Sequence, residues 1–146
     1  MKIIFDLDGT LADITHRLHM IDKSKGKPDW PAFFMACVDD KPIPEMVRLA
    51  RCLAGCTVDI WSGRSDIVRP QTEFWLDVRG LGFVTGDHLR MRKEGDYRAD
   101  HIVKEDWLYA LPKSQWPDIV FDDRKQVVDM WRVHGIRCCQ VAPGEF

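Results

Sequence analysis

The sequence predicts an α/β fold built on a parallel sheet, and three observations carry that expectation. Short apolar runs recur along the chain and stop abruptly at polar or turn-forming residues, as strands buried in a parallel sheet do. Between them lie segments whose apolar residues fall three and four apart, the spacing of a helix with one buried face. The two kinds of segment alternate, and that alternation packs helices against a parallel sheet.

The first apolar run is Lys2 to Phe5, which stops at Asp6. Val58-Asp59-Ile60-Trp61 is the second and ends at Ser62-Gly63. A weaker one lies near Leu89-Arg90-Met91. Ile119-Val120-Phe121 ends at Asp122-Asp123, and Ile136 to Val141 closes before Pro143-Gly144. Among the helical patterns, Ile43, Met46, Val47, Ala50 and Leu53 share a face, with Pro44 suited to the first turn. Phe74, Trp75 and Val78 mark a second helix, entered near Pro70 and left at Gly80. Ile102, Val103, Trp107, Tyr109 and Leu111 suggest a third. Val127, Val128 and Trp131 mark a fourth, and Gly135 stands where a C-terminal cap is needed. The stretch Asp13 to Lys41 breaks this rhythm. A basic and polar helix is expected over Asp13 to Lys23, then a turn over Ser24 to Pro28, then the aromatic segment Trp30-Pro31-Ala32-Phe33-Phe34. It reads as a small helical insertion, at about 13–41, over one end of the sheet. The aromatic cluster reads as the core of that insertion, with stacking on a nucleobase as the alternative.

A chain of 146 residues fits one domain, spanning 1–146, with a core of its own. Hydrophobic residues at 45% and charged residues at 30% exclude a disordered chain. The net charge of −2 offers no global attraction to nucleic acid or membrane, so any polyanion must be bound locally. No apolar run approaches the roughly 20 residues of a membrane helix. The N-terminus turns acidic at Asp6, too soon for a signal peptide. A cytoplasmic protein without a membrane partner is expected. The five cysteines are odd in number and form no CxxC. Reduced, mostly buried thiols are expected, with Cys138 and Cys139 on opposite faces of a strand. A zinc site from Cys52, Cys56 and a histidine would match no closed zinc pattern well.

In open α/β sheets the ligand site lies beyond the carboxyl ends of the strands. Asp6, Asp8, Ser62, Asp122 and Asp123 are therefore expected to converge. Asp6-Leu7-Asp8-Gly9-Thr10 is the strongest signal. Two carboxylates two residues apart, leaving a strand through a glycine turn, can reach one ligand. One carboxylate can attack phosphorus; the other can protonate the leaving oxygen and later deprotonate water. The plain structural alternative is a turn with a helix N-cap at Asp8 or Thr10.

Asp6-Leu7-Asp8-Gly9-Thr10 followed by Leu11-Ala12 resembles the first motif of the haloacid dehalogenase-like phosphohydrolases. Ser62-Gly63-Arg64 resembles their second motif, Lys104 their third and Asp122-Asp123 their fourth, in the expected order. The resemblance implies a Rossmann-like parallel sheet with helices on both faces and a small helical cap insertion. It also implies Mg²⁺-dependent phosphomonoester hydrolysis through an aspartyl-phosphate. A narrower similarity joins Gly95-Asp96-Tyr97-Arg98-Ala99-Asp100 and Val103-Lys104-Glu105 to the phosphatase half of bacteriophage polynucleotide kinase/phosphatases. The tail resembles it too: Asp122-Asp123-Arg124, Gln126-Val127-Val128, Met130-Trp131-Arg132, Gly135, Gln140-Val141-Ala142 and Gly144-Glu145-Phe146. No G-x-x-x-x-G-K-[ST] loop occurs, so 5′-kinase activity is not expected.

By this resemblance Asp6 is the nucleophile, Asp8 the general acid and base, and Lys104 the neutralising cation. Asp6, Asp8 through its backbone carbonyl, Asp122 and Asp123 are the Mg²⁺ set. Thr10, Arg17, Ser62, Gly63, Arg64 and Asp100 are the phosphate- or substrate-binding set. Several of these have ordinary structural readings: Ser62 and Asp123 as N-caps, Asp100 with Lys104 as a surface ion pair, and Arg17 on the solvated face of the inserted helix. The substrate implied is a 3′-phosphate end of DNA or RNA. The alternatives are a nucleotide or small phosphoester and, outside enzymes, a non-catalytic module of a repair complex. Arg17, Arg90, Arg92 and Arg98 are the candidates for contacts to phosphates beyond the one removed. His16 and His19, three apart, show no metal partner.

Overall fold

The computed structural model describes residues 1–144; Glu145 and Phe146, the end of the tail quoted above, lie outside the described residues. The strands are β1 (Lys2–Phe5), β2 (Ala12–Asp13), β3 (Lys41–Pro42), β4 (Thr57–Ser65), β5 (Leu89–Arg92), β6 (Ile119–Asp122) and β7 (Arg137–Gln140). The helices are α1 (Trp30–Met35), α2 (Pro44–Cys52), α3 (Arg69–Asp77), α4 (Asp100–Tyr109) and α5 (Lys125–Val133). Five strands form one parallel sheet in the order β5-β4-β1-β6-β7. β1 is central, with Phe5 level with Ile60 on one side and Phe121 on the other. This is the α/β Rossmann-like sheet that the alternating pattern predicts.

The two-residue period of a strand decides which helices cover which face. Ile3 and Phe5 point to one face with Val58 and Ile60, where Val47 and Ala50 of α2 and Trp75 and Leu76 of α3 pack. Ile4 and Trp61 point to the other, against Leu108 of α4 and Val127, Val128 and Trp131 of α5. Helices thus cover both faces. Pro44 stands in the first turn of α2. Gly135, at φ +76°, ends α5 while the Ile136 N–H donates to the Trp131 carbonyl at 3.0 Å, which closes the helix C-terminus. Among the described residues no helix is long and apolar enough to cross a membrane.

Several expectations are corrected. Asp13 to Lys23 is not one helix: Thr15–Met20 and Lys23–Lys25 are separate 3₁₀ turns. The reason is local competition for backbone groups. The Asp13 carboxylate accepts from the Thr15 N–H and hydroxyl at 2.9 and 2.7 Å, and Asp22 does the same for Ser24. Arg17 is drawn inside rather than left on a solvated face. The second strand does not end at Ser62-Gly63 but runs on to Ser65, because a register shift opposite Met91 and Arg92 absorbs Gly63 and Arg64. In α3 the buried residues are Thr72, Trp75 and Leu76, whereas Phe74 is 67% exposed and Val78 also faces water. All five cysteines are free; only Cys37 and Cys138 are buried, so the thiols are less enclosed than expected. No cluster of metal-ligating side chains among the described residues includes a cysteine.

Trp131 is fully enclosed between α5 and the sheet, with its ring 5.5 Å from that of Trp61. Trp131→Ala should lower the unfolding free energy by about 3–5 kcal/mol, whereas Phe74→Ala should stay within about 0.5 kcal/mol. Denaturant titration of both variants checks the difference; equal losses would mean that α5 is not packed as described.

Candidate active site

The site is built where β1, β4 and β6 end side by side. The Asp6 N–H donates to the Phe121 carbonyl at 2.8 Å, so the ladder holds Asp6 one residue past β1. The chain then turns at once: the Leu7 carbonyl accepts from the Leu11 and Ala12 N–H groups, each at 2.9 Å. Gly9 sits in this turn at φ +88°, and a Cβ there would lie 2.3 Å from Asp123 Oδ2. The residue must therefore lack a side chain for Asp123 to approach. No helix begins at Asp8 or Thr10, so neither is an N-cap. On β4 the register shift brings Gly63 and Arg64 over the strand ends, in the manner of bulges that re-aim side chains. A Cβ on Gly63 would meet Asp100 Oδ1 at 2.3 Å, so this glycine too makes room for a carboxylate.

An acidic cluster surrounds one ammonium. Lys104 Nζ lies 2.6 Å from Asp6 Oδ1, 2.9 Å from Asp122 Oδ2 and 3.3 Å from Asp100 Oδ2, all of them buried or nearly so. Asp100 and Lys104 are thus not a surface pair. Burial raises the Asp6 carboxyl; Lys104 pulls it down, and Asp122, Asp123 and Asp100 push it up again, leaving it well above the usual range. Burial also raises Asp122 against the pull of Lys104. Burial and then Asp122 push Asp123 up to about 7. Asp100 goes the other way: burial would raise it, but Lys104, Arg124 and Arg92 together hold it below the ordinary value. Lys104 keeps its proton because Asp100, Asp122 and Asp6 outweigh the cost of its burial. Asp123 makes no N-cap, since α5 begins after Arg124 without a side-chain cap.

Beside this cluster two arginines share two carboxylates. Arg17 donates from Nε and Nη2 to Asp40 at 2.7 and 2.8 Å, and from Nη2 to Asp8 at 3.0 Å. Arg64 Nη2 donates to Asp40 at 2.7 Å and to Asp8 Oδ1. Burial would raise the Asp8 carboxyl, but Arg64 and then Arg17 hold it below its usual range by charge and hydrogen bonding. Asp40 escapes the sequence reading altogether. It belongs to no motif, and its only signal is that two buried guanidiniums require a buried counter-charge. Trp75 Nε1 on α3 fixes its carbonyl at 2.8 Å, and His16 Nε2 lies 2.9 Å from its carboxylate.

The structure brings Asp6, Asp8, Gly63, Asp100 and Asp123 to one cavity of about 430 Å³. Lys104 and Asp122 are not among its lining residues; Lys104 bridges Asp6 and Asp122. Thr10 is enclosed and its hydroxyl has no hydrogen-bond partner. Ser62 is enclosed as well; its Oγ accepts from the Arg64 N–H at 3.1 Å, and the N-cap of the next turn is Ser65 instead. The expected basic track is not free to bind phosphates. Arg90 lies over the Trp61 ring and donates to the Trp107 carbonyl. Arg92 donates to the carbonyls of Gly63, Asp96 and Arg98 and to Asp100. Arg98 pairs with Asp96 and Asp106. The aromatic cluster serves both readings: Phe33 is buried in the core, Trp30 is 42% exposed, and both line the cavity with Phe34.

Asp40→Asn should expose the dependence of both arginines on this carboxylate. Removing one partner of a buried ion pair leaves the others uncompensated and costs roughly 3–5 kcal/mol. Thermal and chemical denaturation should report a loss of that order. A change below about 0.5 kcal/mol, the range of neutral surface substitutions, would mean that Arg17 and Arg64 do not rely on Asp40.

The fold has counterparts among known proteins. Over residues 1–146 the chain matches the family model for the polynucleotide kinase PNKP phosphatase domain. A chain in the structure of the Pnkp1/Rnl/Hen1 RNA repair complex is 29% identical, with a TM-score of 0.75; the match covers 99% of this chain and 43% of that one. The chain therefore spans less than half the length of this relative. A class C acid phosphatase from Bacillus anthracis, solved with tungstate bound, is similar in fold at 16% identity and a TM-score of 0.65, covering 99% of this chain and 67% of that one. A haloacid dehalogenase-like hydrolase from Streptococcus pneumoniae is similar at 15% identity and a TM-score of 0.55, covering 94% and 82%. With the four motifs in order, β1, β4 and β6 carrying three of them at their ends, and a family match along the whole length, this chain belongs to the polynucleotide kinase phosphatase domain family of haloacid dehalogenase-like phosphatases.

Proposed function

We propose that the chain is a Mg²⁺-dependent phosphomonoesterase that removes the 3′-phosphate from polynucleotide ends through an aspartyl-phosphate. The observation that carries this reading is the convergence of Asp6, Lys104, Asp122 and Asp123 beside an Asp8 held by two arginines. Such a set has no use in a module that only binds. The similarity to a chain of an RNA repair complex supports a nucleic-acid substrate. Under this reading the segment 13–41 is a small cap over the site.

The donor set fits Mg²⁺. One carboxylate oxygen each from Asp6, Asp122 and Asp123 lies within 4.8 Å of the others, all hard oxygen donors. Burial raises all three carboxyls, so the cluster holds an excess of negative charge that a divalent cation would relieve. These three and the backbone carbonyl of Asp8 would hold the ion. When bound, it supplies the charge neutralisation that lets a carboxylate approach an anionic phosphate.

The residues divide the reaction between them. A carboxylate oxygen of Asp6 attacks phosphorus as the ester oxygen leaves, and Asp8 gives its proton to that oxygen. Asp8 then takes a proton from water, whose oxygen attacks the same phosphorus and frees Asp6 and inorganic phosphate. Lys104 neutralises charge on Asp6 and the transferred group, with Asp100 orienting its ammonium. Asp8 must be protonated for the first step, yet Arg64 and Arg17 favour its carboxylate. The conflict is removed if phosphate oxygens replace Asp8 as the partners of these guanidiniums. Arg17 and Arg64 are then the substrate-binding pair; Gly63 lines the cavity that receives the phosphate, with the enclosed Ser62 and Thr10 assigned to the same binding set.

Two observations favour a second reading, a nucleotidase. The arginines expected to follow a polynucleotide backbone are committed to protein partners, and the cavity has the size of a small-molecule pocket.

Asp6→Asn should abolish turnover, and Asp8→Asn should slow it by about 10²–10⁴-fold. A substrate with a good leaving group should restore the first step in the Asp8 variant only; equal residual activity of both variants would contradict the assigned roles. The substrate is decided by kcat/KM for a 3′-phosphorylated oligonucleotide, the matching nucleoside 3′-monophosphate and an aryl phosphate, each with Mg²⁺ and with excess chelator. The oligonucleotide should be preferred and chelator should silence every reaction. Equal or better use of the mononucleotide would transfer the assignment to a nucleotidase, and full activity in chelator would remove the metal.

A further inference from the structure

We propose that the apolar part of the active-site cavity, formed by Trp30 and Phe34 of α1 together with Tyr97, is a stacking pocket for the nucleobase of the nucleotide that carries the scissile phosphate. The inference rests on reading the site as a phosphatase for nucleotides, and it assigns recognition to aromatic faces instead of the basic cluster.

Trp30 and Phe34 are four residues apart on α1, so they share one face of the helix. Their rings lie 5.9 Å apart, tilted by 30°. Phe33 is buried, but its ring lies 5.7 Å from Trp30 and 5.6 Å from Phe34 and backs the same wall of the cavity. An inserted segment that needed only a core would bury Trp30 as well, yet Trp30 is 42% exposed and Tyr97 is 88% exposed. Both line the cavity that also holds Asp6 and Asp8, joined by Ile21 and Ile67. Two aromatic side chains left open to water inside a catalytic cavity are unfavourable in the free protein unless a ligand covers them.

The position of α1 relative to the phosphate-binding side chains is fixed. Arg17 lies over the Phe33 ring, 4.2 Å from its centroid, and donates to the Phe33 carbonyl at 3.2 Å. The same guanidinium reaches Asp8. One arginine therefore sets the distance between the phosphate end of the cavity and its aromatic wall. Lys93 and Arg124 line the same cavity, which completes the pairing of aromatic faces with cations seen in sites for single-stranded nucleic acid. A phosphate anchored at Asp6 and a flat apolar group on Trp30 and Phe34 describe one nucleotide within about 430 Å³. A base so placed is withdrawn from any duplex, so the pocket selects unpaired ends.

The test compares a deoxynucleoside 3′-monophosphate with 2-deoxyribose 3-phosphate, which keeps the sugar and phosphate but lacks the base. Both are measured as kcat/KM on the wild type and as Kd by calorimetry on the Asp6→Asn variant. Base stacking should favour the nucleotide by roughly 5- to 150-fold, more for purines than for pyrimidines. Trp30→Ala and Tyr97→Ala should each reduce that ratio, Trp30→Phe should restore most of it, and Phe74→Ala, an exposed aromatic outside the cavity, should leave it unchanged. Tyr97 is so exposed that its removal does not threaten folding. Equal use and equal binding of the two compounds would overturn the pocket while leaving the phosphatase assignment intact, as would a preference that survives both alanine variants. Absence of turnover on every nucleotide, with hydrolysis of other phosphoesters, would overturn both.

Discussion

Two guanidiniums buried between two carboxylates hold this molecule's parts in register. Arg17 comes from the inserted segment and Arg64 from the shifted end of β4. Asp8 comes from the turn after β1, and Asp40 from the point where the insertion returns to the sheet. Each of these charges would be costly to bury alone, and together they are neutral. The arrangement ties together four separate pieces of backbone. Phe33 stacks beneath Arg17, and Trp75 of α3 and Arg79 just after it hold the Asp40 carbonyl, so the clamp extends into both the aromatic wall and the core.

The second charge cluster is built on the opposite principle. Around Lys104 the carboxylates of Asp6, Asp100 and Asp122 outnumber the single ammonium, and Asp123 adds to the excess. A fold does not gather buried like charges for stability, because desolvation and repulsion both oppose it. Clusters of this kind belong to functional sites, where a cation or a reacting anion completes the balance. The backbone sets the spacing: the Asp6 N–H pairs with the Phe121 carbonyl, next to Asp122, and glycines at 9 and 63 allow Asp123 and Asp100 to close in. One half of the site is therefore charge-balanced, and the other carries an excess of carboxylates.

Recognition beyond the phosphate follows from what remains accessible. Arg92 and Arg98, the most suggestive basic residues of the sequence, are consumed in shaping the loop that carries Tyr97 and in steadying Asp100. The cavity they frame offers aromatic surface more than free positive charge, which suits a net charge of −2 better than a long electrostatic track would.

The sequence by itself determined the architecture and which polar side chains stand at the strand ends. Apolar runs that end in acid are legible because strand burial and strand termination are local properties, and Asp6, Asp8, Ser62-Gly63-Arg64, Lys104 and Asp122-Asp123 lie at such ends or in motifs of fixed order. The helix faces were legible where the periodicity was strong, as in α2 and α5, and misleading in α3, where Phe74 and Val78 face water and Trp75 reaches the core. Only the tertiary structure decided the inserted segment, because Asp–Ser and Asp–Thr turns and the inward pull on Arg17 overrode its helical look. It alone revealed Asp40, whose role exists only because arginines 47 residues apart in the chain meet at one carboxylate. It also decided which cations are free and which aromatics are open, since pairing and exposure depend on neighbours distant in sequence and leave no local periodicity to read.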